Sequence, residues 1–356
     1  MMMQTATTQP ANFVETLYKR AENYFETQPN KIYITSLGFV KSILLVLLYA
    51  GTYCFFLFAH HSFSSLLATA TLLGLWHVLL PVNIGHDAIH QTLSSKKWIN
   101  DLALYSLELT GANSFMYRKK HLEAHRNKEI GSQINAIETQ QLLLQTNTGD
   151  SKINLPYFFY LFYAVYMIYI RDFQLFYSLR NEIPTKEWLI LFATKFSYAV
   201  AFLLLPFLCI ELPTWQIACS LAVMYMFVAT LLVIILLMPT EKMKTNKLSQ
   251  QATLNDQWVK EILEQDVDFS PSSRLLNLLV GGTNLNVIHY LFPNVHHVHY
   301  NKLAEIVEKT AIEYKVNYRK QSVIDVIGVH VNYIRNIQRQ DENVAVRVNT
   351  TSPSTT

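Results

Sequence analysis

Eight of the 12 histidines fall in three short strings that could bind metal. The strings are HDAIH from His86, HLEAH from His121 and HYLFPNVHHVHY from His289. In the first two strings the histidines are four residues apart, so on a helix both imidazoles project from one face. One such pair alone could equally be two incidental surface histidines, but three strings together favour a metal site.

The types of donor indicate which metal is involved. Imidazole with few carboxylates and no thiolates favours iron, while zinc is the alternative. A zinc hydrolase needs only three or four ligands, and these strings offer more. Asp87 and Glu123, inside the first two strings, are placed to orient imidazoles or simply to solvate a helix. Cys54, Cys209 and Cys219 show no pairing motif, and we assign them no metal or redox role.

Long apolar segments must position these strings. The chain is 51% hydrophobic and only 15% charged, which departs from the balance of soluble domains. Four apolar runs, in which Lys195 is the one charged residue, approach the roughly 20 residues that a transmembrane helix needs, whereas the alternative is buried helices of a large soluble protein. The runs are Ser42 to Ala59, Ser62 to Ile84, Trp188 to Ile210 and Trp215 to Met238.

The short turns within each pair of runs predict two hairpins. Neither turn contains Lys or Arg, so the positive-inside rule places both turns outside and both termini in the cytoplasm. All three histidine strings then lie on the cytoplasmic face and can converge. Lys41 and Lys195 lie near the cytoplasmic ends of runs one and three, where we expect them to reach the headgroups. The predicted fold is an all-α polytopic membrane protein with four transmembrane helices, interfacial helices and a cytoplasmic helical cap.

The remaining segments suggest the domain boundaries. Residues 1–36 form an N-terminal amphipathic segment, in which residues 11 to 29 are expected to be a helix lying on the membrane. Residues 37–340 form the membrane domain, with an interfacial helix from Tyr157 to Ile170. Residues 341–356 read as a disordered polar tail. No cleaved signal peptide is expected, and a net charge of +3 is too small to indicate nucleic-acid binding.

Four stretches carry a resemblance to a known family. They are NIGHDAIHQTLSSKKWIN, LELTGANSFMYRKKHLEAH, WVKEILEQDVDF and GGTNLNVIHYLFPNVHHVHY followed by IVEKTA. In order and spacing they resemble the membrane fatty acid desaturases, particularly the bacterial relatives of linoleoyl-CoA and other front-end desaturases. With the spans, these stretches cover most of residues 37 to 330.

The resemblance implies a non-haem centre of two iron ions that uses dioxygen to remove two hydrogens from an acyl chain in the bilayer. By the same resemblance, His86, His90, His121, His125 and His289 match family ligands. No segment typical of a fused cytochrome b5 domain is seen, so the implied electron donor is a separate ferredoxin, flavodoxin or cytochrome. The implied acyl tunnel has Leu104, Leu107, Phe115 and Tyr117 as candidates.

Several positions depart from the family pattern. Arg126 stands where the second box usually ends in histidine, and its charge should weaken metal binding. Tyr290 replaces a histidine of the third box and could ligate iron as tyrosinate. Glu261 stands in place of another histidine, His296 is a spare imidazole, and both are candidate ligands. Asn286 replaces a leading glutamine or histidine, while His297 and His299 match positions that we expect to support the ligands.

Three functions follow from this pattern. The first is an acyl desaturase, and the second is a family hydroxylase that shares the metal site. The third is a diverged protein that keeps the scaffold but binds one metal or none, because five family-type imidazoles alone cannot fill two iron sites.

Overall fold

The computed structural model describes residues 12–129, 165–237, 256–325 and 328. That part of the chain is helical, apart from two short strands, Asp268–Phe269 and Lys320–Gln321, which pair in parallel. The predicted tail, residues 341–356, and residues 157–164 of the predicted interfacial helix lie outside the described residues.

Within the part of the chain that the structure describes, four helices are long and apolar enough to cross a membrane, which confirms the four predicted spans. Spans one to four are Ser36–Phe58, Phe63–Ile89, Thr185–Cys209 and Thr214–Leu232. Span one has 23 residues, and a helix of that length covers about 35 Å, slightly more than the hydrocarbon thickness. It begins earlier than predicted because Thr35 caps it, accepting a hydrogen bond from the backbone N–H of Gly38 at 3.2 Å.

Span two lies at the centre of the membrane bundle, because it packs against both span one and span four. Leu66, Ala70 and Leu73 of span two are fully buried in the main core, together with Met224 of span four. His77 is also buried there, and its ring nitrogens bond Leu73 O at 2.9 Å and Tyr198 Oη at 3.0 Å. His77 therefore has an ordinary packing role within the bundle.

Two spans are interrupted by π-helical turns close to a proline. Span two runs as Phe63–Leu80, the π turn Pro81–Gly85 and the short helix His86–Ile89. A π turn adds a residue to the helical repeat, so it changes the direction in which the following side chains project. The turn in span two therefore sets the direction of the first histidine string.

The other helices form a cap at one end of the bundle and the connections to it. Helices Phe13–Glu26, Asp256–Gln265, Asn286–Leu291 and Tyr300–Glu313 share a second apolar core. The remaining helices are Lys97–Ala103, Tyr105–Glu108, Ser114–Glu129, Arg171–Ser178, which follows the π turn Tyr166–Ile170, and Arg274–Val280.

The structure corrects two expectations about amphipathic residues. The N-terminal helix forms where it was predicted, but Phe13, Leu17 and Ala21 are buried against the cap and do not face the membrane. The prediction that Lys41 and Lys195 reach the headgroups is also wrong. Lys41 donates to Asn83 and pairs with His297, while Lys195 is buried beside Asp172, because both have polar partners inside the protein.

Candidate metal centre

The three histidine strings meet between the bundle and the cap. The ligand atoms of His86, His90, His121 and His289 all lie within 4.8 Å of one another. His125 joins them, since its Nε2 is 2.8 Å from Nε2 of His289. We call these five residues the histidine cluster. Their convergence confirms that strings far apart in sequence share one place.

Three helices supply the cluster, and the third, Asn286–Leu291, carries His289. His86 begins the helix His86–Ile89 and His90 is the residue after it, and their rings are 5.2 Å apart. His121 and His125 lie one turn apart on Ser114–Glu129, with rings 4.8 Å apart. The spacing of four residues therefore places each pair on one helix face, as predicted.

Two consecutive glycines allow the third string to approach the first. Gly281 and Gly282 have φ angles of +60° and +77°, which other residues adopt only with strain. A Cβ on Gly281 would lie 2.2 Å from the backbone oxygen of Val82, in the π turn before His86. A Cβ on Gly282 would lie 2.6 Å from Cβ of His297. Glycine is therefore required where these backbones touch.

Burial keeps the cluster imidazoles neutral. Burial lowers the pKa of His90, His121 and His289 well below the ordinary value, and neighbouring imidazoles lower it further. Burial also lowers the pKa of His125 to about 4. Neutral imidazole is the form that binds a metal ion, so the site is ready to bind at neutral pH.

Two tyrosines orient cluster imidazoles. Tyr300 is buried, and its Oη lies 2.9 Å from Nδ1 of His289, which leaves Nε2 of that ring for a metal ion. The Tyr117 ring stacks on His121, with centroids 6.0 Å apart and planes 6° apart. The sequence pattern indicated no role for Tyr300, and it indicated Tyr117 only as a candidate for lining the acyl tunnel. The signal for Tyr117 was its position four residues before His121.

A second polar group lies beside the cluster and contains Asp87, His296 and His297. Asp87 Oδ2 accepts from His297 Nδ1 at 2.5 Å, so Asp87 does orient an imidazole, although one from the third string. His296 Nδ1 accepts from the backbone N–H of Val298 at 3.2 Å. Its Nε2 therefore carries the proton and faces Asp87 Oδ2 at 3.5 Å. In this tautomer neither ring nitrogen has a lone pair free for a metal ion, so His296 does not suit the role of ligand.

His299 is held by the N-terminal segment. Its Nδ1 lies 2.9 Å from Tyr24 Oη, and its Nε2 lies 3.0 Å from the backbone oxygen of Tyr33. Both ring nitrogens are thus engaged away from the cluster. His299 joins the third string to the segment that leads into span one, which agrees with a supporting role.

The positions that depart from the family pattern are spread around the cluster. The Tyr290 ring lies 5.0 Å from that of His125. Arg126 is exposed although His125 is buried, because adjacent helical residues point about 100° apart; its guanidinium therefore does not face the cluster. Glu261 accepts from Gln257 at 3.0 Å, and Asn286 is half-buried at the start of its helix. Of the two roles expected for Glu123, the structure favours the solvated helix surface, since Glu123 pairs with Lys120 at 3.4 Å.

Comparison with known proteins identifies the scaffold. The sequence profile of the fatty acid desaturase family matches residues 62–322. The chain belongs to the fatty acid desaturase family. The match contains spans two to four and every residue of the histidine cluster.

Individual desaturases are similar along nearly the whole chain. The sn-1 linoleoyl-lipid 6-desaturase of Arthrospira platensis is 22% identical, and the alignment covers 94% of this chain and 95% of that protein. The sn-1 linoleoyl-lipid 6-desaturase of Synechocystis sp. is 23% identical, covering 88% and 91%. The acyl-lipid (8-3)-desaturase of Physcomitrium patens is 25% identical, covering 89% and 69%. The protein is therefore an integral membrane oxidoreductase of the desaturase type.

Proposed function

We propose that this desaturase introduces a double bond into a fatty acyl chain at an iron centre held by the histidine cluster. The observation that carries the proposal is the convergence of five buried or half-buried imidazoles from three strings within the desaturase fold. The names of two relatives describe desaturases that act on a lipid-linked linoleoyl chain. We propose a lipid-linked or CoA-linked acyl chain as substrate here.

The donors present fit iron. His86, His90, His121, His125 and His289 would hold it, and Tyr290, whose ring lies 5.0 Å from that of His125, is a further candidate donor. We leave Glu261 and His296 out of the set, because Glu261 accepts from Gln257 and His296 Nε2 faces Asp87. Two bound irons would supply dioxygen activation and the removal of two hydrogens from adjacent carbons.

The protein's own residues prepare the site for that reaction. Tyr300 and Tyr117 fix two imidazoles, which limits the loss of conformational freedom when metal binds. The packing of cap on bundle buries the cluster and excludes water. Per double bond, one dioxygen, two electrons and two protons are consumed and two waters form. The electrons would come from a separate ferredoxin, flavodoxin or cytochrome.

We also propose that both termini and the cluster face the cytoplasm. Span two leads directly into the first string, and the second string precedes span three. The two connecting turns, residues 59–62 and 210–213, contain no Lys or Arg, which favours an outer location for both. A cytoplasmic cluster would be accessible to soluble electron donors.

Lipid analysis tests the desaturase proposal. Cells expressing the wild type should contain unsaturated acyl chains that an empty-vector control lacks, and His125→Ala should abolish them. His61→Ala is the matched control, since His61 bonds Ser65 and Phe55 in the turn between spans one and two, and it should behave as wild type. Equal profiles for wild type, His125→Ala and empty vector, with the protein folded in the membrane, would refute the proposal.

A second candidate is a diverged protein that binds a single ion. The changes at Tyr290 and Glu261 favour it, because each replaces a histidine-type donor of the family pattern. Iron per chain separates the two functions. About two irons per chain supports a two-metal desaturase, whereas one iron and no change in host lipids supports the diverged protein.

A further inference from the structure

Two lysines of the membrane spans direct their ammonium groups into the protein. Lys41 lies in span one and Lys195 in span three. The side chain of Lys195 is 6% exposed, and that of its partner Asp172 is 5% exposed. Burying charge in an apolar bundle is costly, and a hydrophobic pair of similar volume often stabilises as well. Their presence in the spans points to a role beyond stability.

Lys41 joins the first and third strings. Its Nζ lies 2.7 Å from Oδ1 of Asn83, 2.9 Å from the backbone oxygen of Leu278 and 2.9 Å from Nε2 of His297. Asn83 lies in the π turn before His86, and His297 bonds Asp87 through its other nitrogen. One ammonium thus links span one to both strings.

Lys195 fixes the start of the second string. Its Nζ pairs with Asp172 Oδ2 at 2.7 Å, and it donates to the backbone oxygens of Gly111, at 2.5 Å, and Ile168. Asp172 Oδ2 also accepts from the backbone N–H of Asn113 at 2.9 Å. Asn113 Oδ1 accepts from the N–H of Met116 at 2.9 Å, near the start of the helix that carries His121 and His125.

Each ammonium has three polar partners, which match its three N–H donors. Each joins a span to segments that precede a histidine string, follow one or belong to one. Neither lysine touches the cluster, so any effect on metal must pass through the backbone and through His297. The arrangement resembles the hydrogen-bonded outer partners that orient ligands at metal sites.

We propose that Lys41 and Lys195 are positioning residues for the metal centre. Lys41 sets the first string against the third, and Lys195 sets the direction of the second. The inference rests on the proposed metal site, but not on the reaction that the site performs. It deepens the proposed function because it assigns the alignment of the cluster to charges placed in the spans.

Cobalt binding by the detergent-purified full chain tests the inference. The variants are Lys41→Met and the double variant Lys195→Met with Asp172→Leu, which removes both members of the buried ion pair. Lys97→Met is the control, since Lys97 is 74% exposed and pairs with Asp101 on the surface. We expect the Co²⁺ dissociation constant to rise about tenfold or more in both test variants. The Co²⁺ absorption spectrum, which reports ligand geometry, should change, while Lys97→Met matches wild type.

Thermal unfolding in the absence of metal separates positioning from simple stability. Unchanged Co²⁺ affinity and spectrum in both test variants would overturn the inference, and so would a lower Tm with unchanged Co²⁺ binding. If Lys41→Met does not fold, Lys41→Gln retains a donor without the charge and serves in its place. A wild type that binds Co²⁺ but leaves host lipids unchanged would refute the desaturase proposal alone. Normal Co²⁺ binding by the lysine variants of an active desaturase would refute this inference alone.

Discussion

Near neutral pH, protons compete only weakly with a metal ion for the nitrogens of the cluster imidazoles. Burial holds the pKa of His125 at about 4 and those of His90, His121 and His289 well below the ordinary value. A ligand loses metal only when pH falls to the region of its own pKa, so binding should survive mild acid. The consequence is a metal site insensitive to pH across the physiological range.

The first prediction concerns this pH dependence. The apparent Co²⁺ affinity of the purified protein should change little between pH 7.5 and about 5.5, and should fall at lower pH. Free imidazoles with a pKa of about 6.5 would lose affinity steadily from pH 7 downwards. Titration by absorption at several pH values measures this. A steady loss from pH 7 would show that the cluster is exposed to solvent.

Tyr300 is the partner of His289, and we predict that Tyr300→Phe weakens metal binding about tenfold. The variant removes only the hydroxyl that bonds Nδ1 of His289. Tyr314→Phe is the matched control, because the Tyr314 hydroxyl bonds Thr16 at the junction with the N-terminal helix. Competition with a chelator measures both. An equal loss of metal affinity in the two variants would assign the effect to the stability of the cap and not to the orientation of His289.

The two altered box positions should respond differently to a restored histidine. Tyr290→His places an imidazole beside His125 and should raise iron per chain. Arg126→His should leave iron unchanged, because residue 126 is exposed. Metal analysis of the purified variants measures the ratio. A rise for Arg126→His but not for Tyr290→His would mean that the helix carrying His125 is rotated relative to this structure.

At the scale of elements, the site depends on close contact between the π turn of span two and the end of the helix Arg274–Val280. Gly281 makes that contact possible, since a Cβ there would meet the backbone oxygen of Val82 at 2.2 Å. Backbone cannot yield as a flexible side chain can, so one added methyl group must move one element away from the other.

We therefore predict that Gly281→Ala destabilises the fold by more than about 1 kcal/mol, because φ is positive and space is lacking. Iron content should fall with it. Gly51→Ala is the control, since a Cβ there meets nothing within 4 Å, and it should be neutral or slightly stabilising in a helix. Thermal unfolding in detergent compares the two. A Gly281→Ala variant as stable as wild type would contradict the backbone contact.

Hydropathy and spacing were sufficient to predict the spans and the imidazole pairs of the first two strings, because both depend on local patterns, while the convergence of the strings was predicted from the topology of the two hairpins. The spans follow from length and apolarity, and the paired imidazoles follow from helical repeat. The partners of Lys41 and Lys195 were missed because they are backbone oxygens and side chains from distant segments. An amphipathic pattern likewise could not tell whether Leu17 faces lipid or the cap. Only tertiary packing decides these cases.

At the scale of the whole molecule, the metal centre lies where two packing units meet. The bundle contributes the first string at the end of span two, while the cap contributes His289. The N-terminal helix strengthens the cap, where Arg20 pairs with Glu313 at 2.6 Å. Separation of the units would therefore disperse the ligands, and bound metal should in turn hold the units together.

Iron per chain, measured after anaerobic loading and removal of unbound metal, tests the central claim most directly. We predict about two irons per wild-type chain and a loss of at least half in His121→Ala, whose ring lies within the four-histidine group. His61→Ala, in which the lost nitrogens bond Ser65 and Phe55 near the turn between spans one and two, should retain the wild-type ratio. A wild type that retains no iron, or a His121→Ala variant that retains as much as wild type, would contradict the account.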